Sequence, residues 1–317
     1  VNIIKRLNLS HNYLYRLTNN TFKGMESLSI LDLSYNEIER IEVEAFAGLN
    51  QLNDLNLDHN SIRNLDSFVF KDLINVYKLS IGNNFIETLK PFTFKNLYNL
   101  YMLWLANNLI ERIEDDALIG LNRVVTFSLN HGNNLKHIKS ESLRGLNGCA
   151  IIDFSNQNLT YLMPFTFKYA STARYIDLSK NSIKLISSNA FNGLKMLEAL
   201  NLDQNKVETI ESNAFYGLHL LRRLNLNFQN ISRLNEFSFD GMDSLEYLDL
   251  SNNKIVSLKK NIFYGLNKLI FLNLDYNPIM KIDSEAFYGL NSMLCFSFSF
   301  NNLTQINELA FDKVDSM

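Results

Sequence analysis

The sequence predicts an α/β repeat solenoid, a horseshoe with a parallel β-sheet on its concave face and short turns or 3-10 segments on its convex face. Three observations lead to this fold class. A motif recurs every 24 residues along the chain, apolar and polar residues alternate before a recurring Asn, and a Phe recurs after it. One coil of this kind cannot bury its own apolar face, so successive coils must stack on one another.

The recurring Asn is predicted to form a ladder where each strand ends. Its spacing is 24 residues, with a single step of 25. An amide side chain both donates and accepts hydrogen bonds, so it can satisfy backbone groups of the surrounding turns, and Gln keeps this chemistry on a longer arm. The predicted ladder positions are Asn12, Asn36, Asn60, Asn84, Asn108, Asn133, Gln157, Asn181, Asn205, Gln229, Asn253, Asn277 and Asn301.

Segments such as "LSILDLSYN" and "LEYLDLSNN" precede the ladder residues and alternate over five residues, which predicts short strands with one buried face. A column of Phe residues follows and is predicted to form a convex-side spine. Rings in successive coils are expected near the strand spacing of about 4.8 Å. The spine positions are Phe22, Phe46, Phe70, Phe94, Phe167, Phe191, Phe215, Phe239, Phe263, Phe287 and Phe311, with Leu118 and Leu143 in the two remaining slots.

The step of 25 residues arises in "LNHGNNLKHI", where Gly132 and an extra residue lengthen the turn ahead of Leu135. One extra residue in a surface loop costs little and is commonly tolerated. The alternative is a local change of curvature at a ligand site.

Composition narrows the classes of partner. The net charge is -3 and the apolar content is 46%, so no long-range charge favours nucleic acid or anionic membrane. No stretch approaches the roughly 18 consecutive apolar residues of a membrane helix, and the first residues do not form a signal peptide. We therefore expect no nucleic acid partner and no membrane insertion in this segment. Without linkers, residues 1–317 are expected to form a single continuous array of about 13 repeats.

The segments "LDLSYNEIERIEVEAFAGL" and "LNLDQNKVETIESNAFYGL" resemble the typical 24-residue class of extracellular leucine-rich repeats. Toll and Toll-like receptors, Slit, the Lrig proteins, glycoprotein-hormone-type receptors and small matrix proteoglycans use this class. The resemblance implies a binding module that is extracellular or on the cell surface. It also implies cysteine-rich caps, which this sequence lacks, so we expect a segment of a longer ectodomain with both terminal caps missing.

If the core positions are scaffold, ligand recognition must involve the outward strand positions. Between the paired leucines these positions are small and polar except for Trp104, the single Trp of the chain. Tyr77, Lys78, Tyr101 and Met102 accompany it, while Gly82 and Ala106 leave room around it. An exposed Trp with Tyr neighbours is typical of a binding hot spot. The alternative is that Trp104 leans over its neighbours and only covers the sheet.

A second candidate patch lies in the last third of the chain. Its aromatic and charged residues are expected to bind a partner, to lie beneath a missing cap, or to have no binding role. The residues of this patch are Arg223, Phe228, Tyr247, Asp249, Phe271 and Tyr276.

Asp32, Asp54 and Asp58 form a predicted acidic patch near the start, suited to a basic ligand, although acidic strand positions also serve solubility. Five sequons mark candidate N-glycosylation sites at Asn8, Asn19, Asn158, Asn230 and Asn302. The last three follow ladder residues at intervals of three repeats. Glycans there would block one edge and leave the concave face open.

The sequence offers no support for catalysis, for a metal site or for a cofactor. His11, His59 and His131 share one column, but even the closest pair is expected about 10 Å apart, too far to share a metal. Cys149 is predicted to be a small core residue. Cys295 is interpreted either as a reactive thiol or as a residue buried under a missing cap.

These features favour a ligand-binding ectodomain of a receptor for signalling or innate recognition. It is expected to bind a protein ligand or co-receptor on its concave face. The alternative is a self-associating adhesion or matrix protein, whose partner is a second copy. A cytosolic scaffold is a third possibility, which the resemblance disfavours.

Overall fold

The computed structural model describes residues 3–311 and 314. The chain divides into two compact units between Asp153 and Phe154. Each unit is a solenoid of parallel strands and turns, and the helical structure of the described residues is one 3-10 helix, Glu141–Leu143. The single continuous array stays a prediction.

Strands of two or three residues alternate along the first unit. They are β1 (Arg6–Asn8), β2 (Arg16–Leu17), β3 (Ile30–Asp32), β4 (Arg40–Ile41), β5 (Asp54–Asn56), β6 (Lys78–Ser80), β7 (Thr88–Leu89), β8 (Met102–Trp104), β9 (Arg112–Ile113), β10 (Thr126–Ser128) and β11 (Ile151–Asp153).

The three-residue strands of this unit pair in parallel in the order β1-β3-β5-β6-β8, and β10 pairs with β11. Partners are offset by 24 residues, as in Arg6 with Ile30, except that Thr126 pairs with Ile151. The extra residue of the 25-residue step therefore lies in the turn after β10. The two-residue strands form the pairs β2-β4 and β7-β9 on another side of the coils.

The second unit repeats this arrangement. Its strands are β12 (Tyr161–Leu162), β13 (Tyr175–Asp177), β14 (Leu185–Ile186), β15 (Ala199–Asn201), β16 (Thr209–Ile210), β17 (Arg223–Asn225), β18 (Tyr247–Asp249), β19 (Ser257–Leu258), β20 (Phe271–Asn273), β21 (Lys281–Ile282), β22 (Cys295–Ser297) and β23 (Gln305–Ile306). The three-residue strands run in the order β13-β15-β17-β18-β20-β22, and the two-residue strands form β12-β14-β16 and β19-β21-β23.

The ladder amides bond to backbone groups of their own coil and of the coil before it. Asn60 Nδ2 donates to Leu33 O at 3.0 Å and Leu57 O at 3.1 Å, while Asn60 Oδ1 accepts from Ile38 N at 3.0 Å. Gln229 makes equivalent bonds through its longer side chain. The ladder residues from Asn36 to Asn277 are buried. They supply partners for turn groups that water cannot reach.

The spine rings stack inside the coils, opposite the sheet. Centroids of neighbouring rings are 5.6–6.3 Å apart from Phe22 to Phe94 and from Phe167 to Phe287, wider than the predicted strand spacing. Backbone hydrogen bonds hold strands close together, whereas ring packing sets the spacing of the spine.

Coils approach more closely where Leu replaces Phe. Leu118 and Leu143 are fully buried in the spine slots. At Gly145, where φ is +114°, an added Cβ would lie 2.0 Å from Leu118 O. The smaller Leu side chains let the two coils come this close, so Gly145 has both a left-handed backbone and no room for a side chain.

Candidate functional site

Side chains of the three-residue strands alternate between the core and an outward sheet face. In β8 the central Leu103 is 7% exposed, while Trp104 is 41% exposed. Single exposed apolar residues are common on soluble proteins, so the informative feature is how many of them meet at one place.

Three predicted residues, Lys78, Met102 and Trp104, lie on the sheet face of the first unit, and Tyr77 and Tyr101 directly precede their strands. We call these five residues the aromatic patch. The rings of Tyr77 and Tyr101 stack with centroids 5.1 Å apart. Lys78 pairs with Met102 in the strand register, and its Nζ lies 5.2 Å from the centroid of the Trp104 ring. Adjacent coils thus supply all five side chains.

Small residues surround Trp104 on this face. Ser80, its partner in the register, is 6% exposed. At Gly82 an added Cβ would lie 3.1 Å from Ala106 O and 3.3 Å from Asp58 Oδ1. Gly82 is buried, so this position has no room for a side chain between its two neighbouring coils.

Ile74 and Tyr98 are also exposed, three residues before Tyr77 and Tyr101. The strand pattern did not indicate either residue because both precede the strands. Their signal is an apolar residue at a turn position that is polar in most other coils. They extend the exposed apolar surface of the same two coils beyond the sheet.

The three carboxylates of the acidic patch lie on neighbouring strands or turns. Asp54 Oδ2 is 3.7 Å from Lys78 Nζ. Asp32 Oδ1 accepts from Ser34 N and Oγ at 2.9 and 2.7 Å, and Asp58 Oδ1 accepts from Gly82 N at 2.6 Å. Burial raises the pKa of Asp58, and the Gly82 N–H opposes this shift.

A stack of exposed rings borders the acidic patch, and sequence reasoning missed it. The Tyr35 ring lies between His11 and His59, with centroid distances of 4.4 and 4.2 Å. All three residues immediately precede a ladder Asn and have φ between 53° and 54°. Asn tolerates this left-handed backbone better than an aromatic residue does, so ring stacking offsets part of the strain.

The second candidate patch is only partly assembled. Tyr247 and Phe271 stack at 4.7 Å and, with Arg223, Glu246 and Ile270, line a cleft of about 400 Å³. Burial and the neighbouring charge of Asp249 raise the pKa of Tyr247.

The other residues of this patch lie outside the cleft lining. Asp249 is buried, and its Oδ1 accepts from Ser251 N at 2.9 Å. Phe228 and Tyr276 are about half exposed in left-handed turns, where Tyr276 stacks on Phe300 at 4.4 Å.

The sequons differ in their surroundings. Asn8 Oδ1 accepts from Ser10 N and Asn19 Oδ1 accepts from Glu44 N. Asn158 and Asn302 are exposed and Asn230 is half-buried, each directly after a ladder residue. The last three therefore share one lateral position in their coils, away from the outward strand residues.

Cys149 is buried, and its Sγ lies 3.0 Å from Ile151 O. Burial raises the pKa of this thiol to about 11. Cys295 is exposed, next to Phe271 in the strand register. Among the residues that the structure describes, no cluster of His, Cys, Asp or Glu has metal-binding geometry, and no helix has the length and apolar character needed to cross a membrane.

Two family models match the chain. The leucine rich repeat model matches residues 4–73 and 74–133, and the model for a BspA type leucine rich repeat region matches residues 106–221 and 184–317. No curated protein matches the sequence. The matches extend over nearly the whole chain, and they confirm the resemblance deduced from the repeat.

Solved structures of similar fold include the glycosylated Toll–Spatzle complex of Drosophila. The match has a TM-score of 0.68 and 25% identity, and it covers 88% of this chain and 42% of the matched chain, so the protein spans less than half the length of that relative. The APL1 leucine-rich repeat domain matches with a TM-score of 0.68 and 21% identity, and the match covers 99% of this chain and 78% of the matched chain. The TLR13 complex with ssRNA13 matches with a TM-score of 0.54 and 19% identity, and the match covers 98% of this chain and 61% of the matched chain. The last two support the fold alone, and together the matches confirm the predicted solenoid.

Proposed function

Since the chain belongs to the leucine-rich repeat family, we propose that it is the ligand-binding part of an extracellular or cell-surface receptor. In this proposal it binds a protein ligand or co-receptor through the sheet face that carries the aromatic patch. The patch supports this because Trp and Tyr supply much of the binding energy at protein interfaces. Signalling or innate recognition is the proposed context, since the similar Toll–Spatzle complex is a molecular hub in Drosophila development and innate immunity.

The observation that carries the proposal is the exposure of Trp104. A Trp that is 41% exposed, on a face whose other outward residues are mostly small and polar, leaves apolar area in water. Removing that area from water is favourable, at roughly 25 cal/mol per Å². Stacking of the two Tyr rings and the position of Lys78 hold the surroundings in place, which reduces the ordering cost of binding.

The class of partner is also part of the proposal. Among the similar structures, Toll is in complex with Spatzle and TLR13 is in complex with ssRNA13. We propose a protein because the charged residues of this sheet face near Trp104 are Asp54, Asp58 and Lys78, which would not attract a polyanion. We likewise propose a binding role without enzymatic activity.

The second candidate is self-association as an adhesion or matrix protein, which the same exposed patch supports. Light scattering on the purified chain over a concentration series separates the two. We compare the wild type with Trp104→Glu and with Tyr216→Glu, which changes an exposed aromatic residue of the second unit. A dimer that only Trp104→Glu abolishes would favour self-association through the patch.

If the wild type stays monomeric, the chain is screened against an array of purified secreted and cell-surface proteins. We expect a partner that binds the wild type and Tyr216→Glu equally and Trp104→Glu at least about tenfold more weakly, as for a hot-spot residue. Equal binding by all three proteins would contradict the proposed site.

A further inference from the structure

The aromatic patch and the acidic patch form one surface. Strands β3, β5, β6 and β8 are consecutive neighbours in the sheet. The register places Asp32, Asn56, Ser80 and Trp104 in one row across these strands, and Asp54, Lys78 and Met102 in a second row. A segment that crosses the strands from Trp104 would reach the carboxylates within two or three strand spacings.

The charges along this surface are unbalanced. Three carboxylates face one ammonium group, that of Lys78, so the four side chains sum to a charge of 1 − 3 = −2. Lys78 lies near Asp54 and over the Trp104 ring. Asp32 and Asp58 form no ion pair with the described residues. The next cations on this side are Lys5 and Arg6 in the first coil, where Arg6 pairs in register with Ile30.

Asp58 is the carboxylate that would gain most from a cation. Its Oδ1 is bonded to Gly82 N, and burial raises its pKa because it disfavours the charged form. A basic side chain placed beside it would stabilise the charged form.

The spacing of the two patches limits the segment that fits. The coil of Asp58 and the coil of Trp104 are two strand spacings apart, about 10 Å. An extended segment advances about 3.3 Å per residue, and a Lys or Arg side chain adds reach. An apolar and a basic side chain two or three residues apart therefore span the distance.

We propose that the partner is a protein with an extended basic segment, in which an apolar side chain packs on Trp104 and a Lys or Arg two or three residues away binds Asp58 and Asp32. This inference rests on the proposed function, and it adds the charge and spacing of the partner. The carboxylates of Asp32 and Asp58, which form no ion pair with the described residues, supply the charge complementarity. Such complementarity contributes mainly to specificity and association rate.

The test uses a peptide display library selected on the complete chain at low ionic strength. We expect enriched peptides to carry Lys or Arg two or three positions from a Trp, Phe, Tyr or Leu. Their binding should fall with Trp104→Ser, and by about threefold to tenfold with Asp58→Asn or Asp32→Asn, with the difference reduced by added salt. Asp203→Asn is the matched control because it changes the same turn position in a coil of the second unit.

Three other outcomes would contradict parts of this proposal. Peptides that need Trp104 but show no basic preference, or are indifferent to both Asp variants, would overturn the inference and leave the proposed function standing. Peptides indifferent to Trp104 would overturn both. A wild-type dimer abolished by Trp104→Ser would show that a second copy occupies the patch and would also overturn the inference. Circular dichroism and thermal unfolding of each variant establish that it is folded.

Discussion

Lys78 holds its ammonium group over the ring of Trp104, 5.2 Å from the ring centroid, although the two residues lie on different strands. The same nitrogen is 3.7 Å from Asp54 Oδ2. This contact joins the acidic and aromatic patches, and it covers part of the residue on which the proposed function depends.

We expect Lys78→Ala to make Trp104 more accessible to a neutral quencher. The lost cation–π contact is worth about 0.5–1 kcal/mol at an exposed site, too little to unfold the protein. Because Trp104 is the only Trp, acrylamide quenching of fluorescence reports on it alone. Lys90→Ala, which removes a partner of Asp66 elsewhere, serves as the control. Unchanged quenching in Lys78→Ala would mean that Lys78 does not shield the ring in solution.

Replacing a central ladder residue should cost much more stability than replacing the first one. Asn60→Ala removes the acceptor of the buried Ile38 N, at about 1–3 kcal/mol, whereas Leu33 O and Leu57 O each keep a bond from the ladder amide of Asn36 or Asn84. Asn12 is exposed, so water replaces its bonds and Asn12→Ala should cost less than about 1 kcal/mol. Urea unfolding of both variants measures the difference, and equal midpoints would refute the buried role of the ladder.

Gly145→Ala should destabilise the protein more than Gly48→Ala. Both glycines have positive φ, +114° and +83°, so both variants lose about 1 kcal/mol to the left-handed backbone. At Gly145 the new Cβ would also meet Leu118 O at 2.0 Å, whereas at Gly48 its nearest neighbour is 3.8 Å away. Thermal unfolding should show at least about 1–3 kcal/mol of extra loss for Gly145→Ala. A larger loss for Gly48→Ala would contradict the close approach of the coils.

Asp58→Asn should raise the free energy of unfolding at neutral pH while weakening the binding of the proposed partner. Burial raises the folded pKa of Asp58 above its usual 3.8, so the folded state binds the proton more tightly than the unfolded state does. The wild type therefore loses stability, relative to Asp58→Asn, as the pH rises from below 3.8 through the raised pKa. Asn keeps an oxygen acceptor for Gly82 N, which isolates the charge.

Urea unfolding of Asp58→Asn and wild type from acid to neutral pH measures this effect. Asp203→Asn controls for the loss of a carboxylate at the equivalent turn position. A stability difference that grows toward acid pH would contradict the sign. If Asp58→Asn instead destabilises the protein at neutral pH, contacts within the folded chain already stabilise the Asp58 carboxylate. A bound cation would then stabilise it less than proposed.

Repeat-level features were predictable because each depends on residues within one coil and its copy 24 positions away. The period indicates the strand register, and the buried ladder from Asn36 to Asn277 follows from the need to satisfy backbone groups. Observed strands are three residues long where five residues alternate. The expected ring spacing was too small, since no hydrogen bond draws the spine together.

The outward residues were harder to assign. Lys78, Met102 and Trp104 were predictable because strand alternation places them on one face, and Tyr77 and Tyr101 directly precede the same two strands. Phe228 and Tyr276 precede ladder residues, and their left-handed turns keep them out of the cleft that Tyr247 and Phe271 line. The position before the ladder residue is occupied by Asn, Lys and Phe in different coils, so spacing in the sequence does not predict a left-handed turn there.

By itself, the sequence determined the coil: its period, its buried Leu, Phe and Asn columns, and the family to which the chain belongs. These properties follow from burial and backbone hydrogen bonding, which act identically in every repeat. Only the tertiary structure decided which exposed side chains meet, such as Lys78 over Trp104, Tyr35 between His11 and His59, and Asp58 against Gly82. Those contacts depend on side-chain direction and on what the neighbouring coil places alongside, and neither is encoded by a periodic pattern.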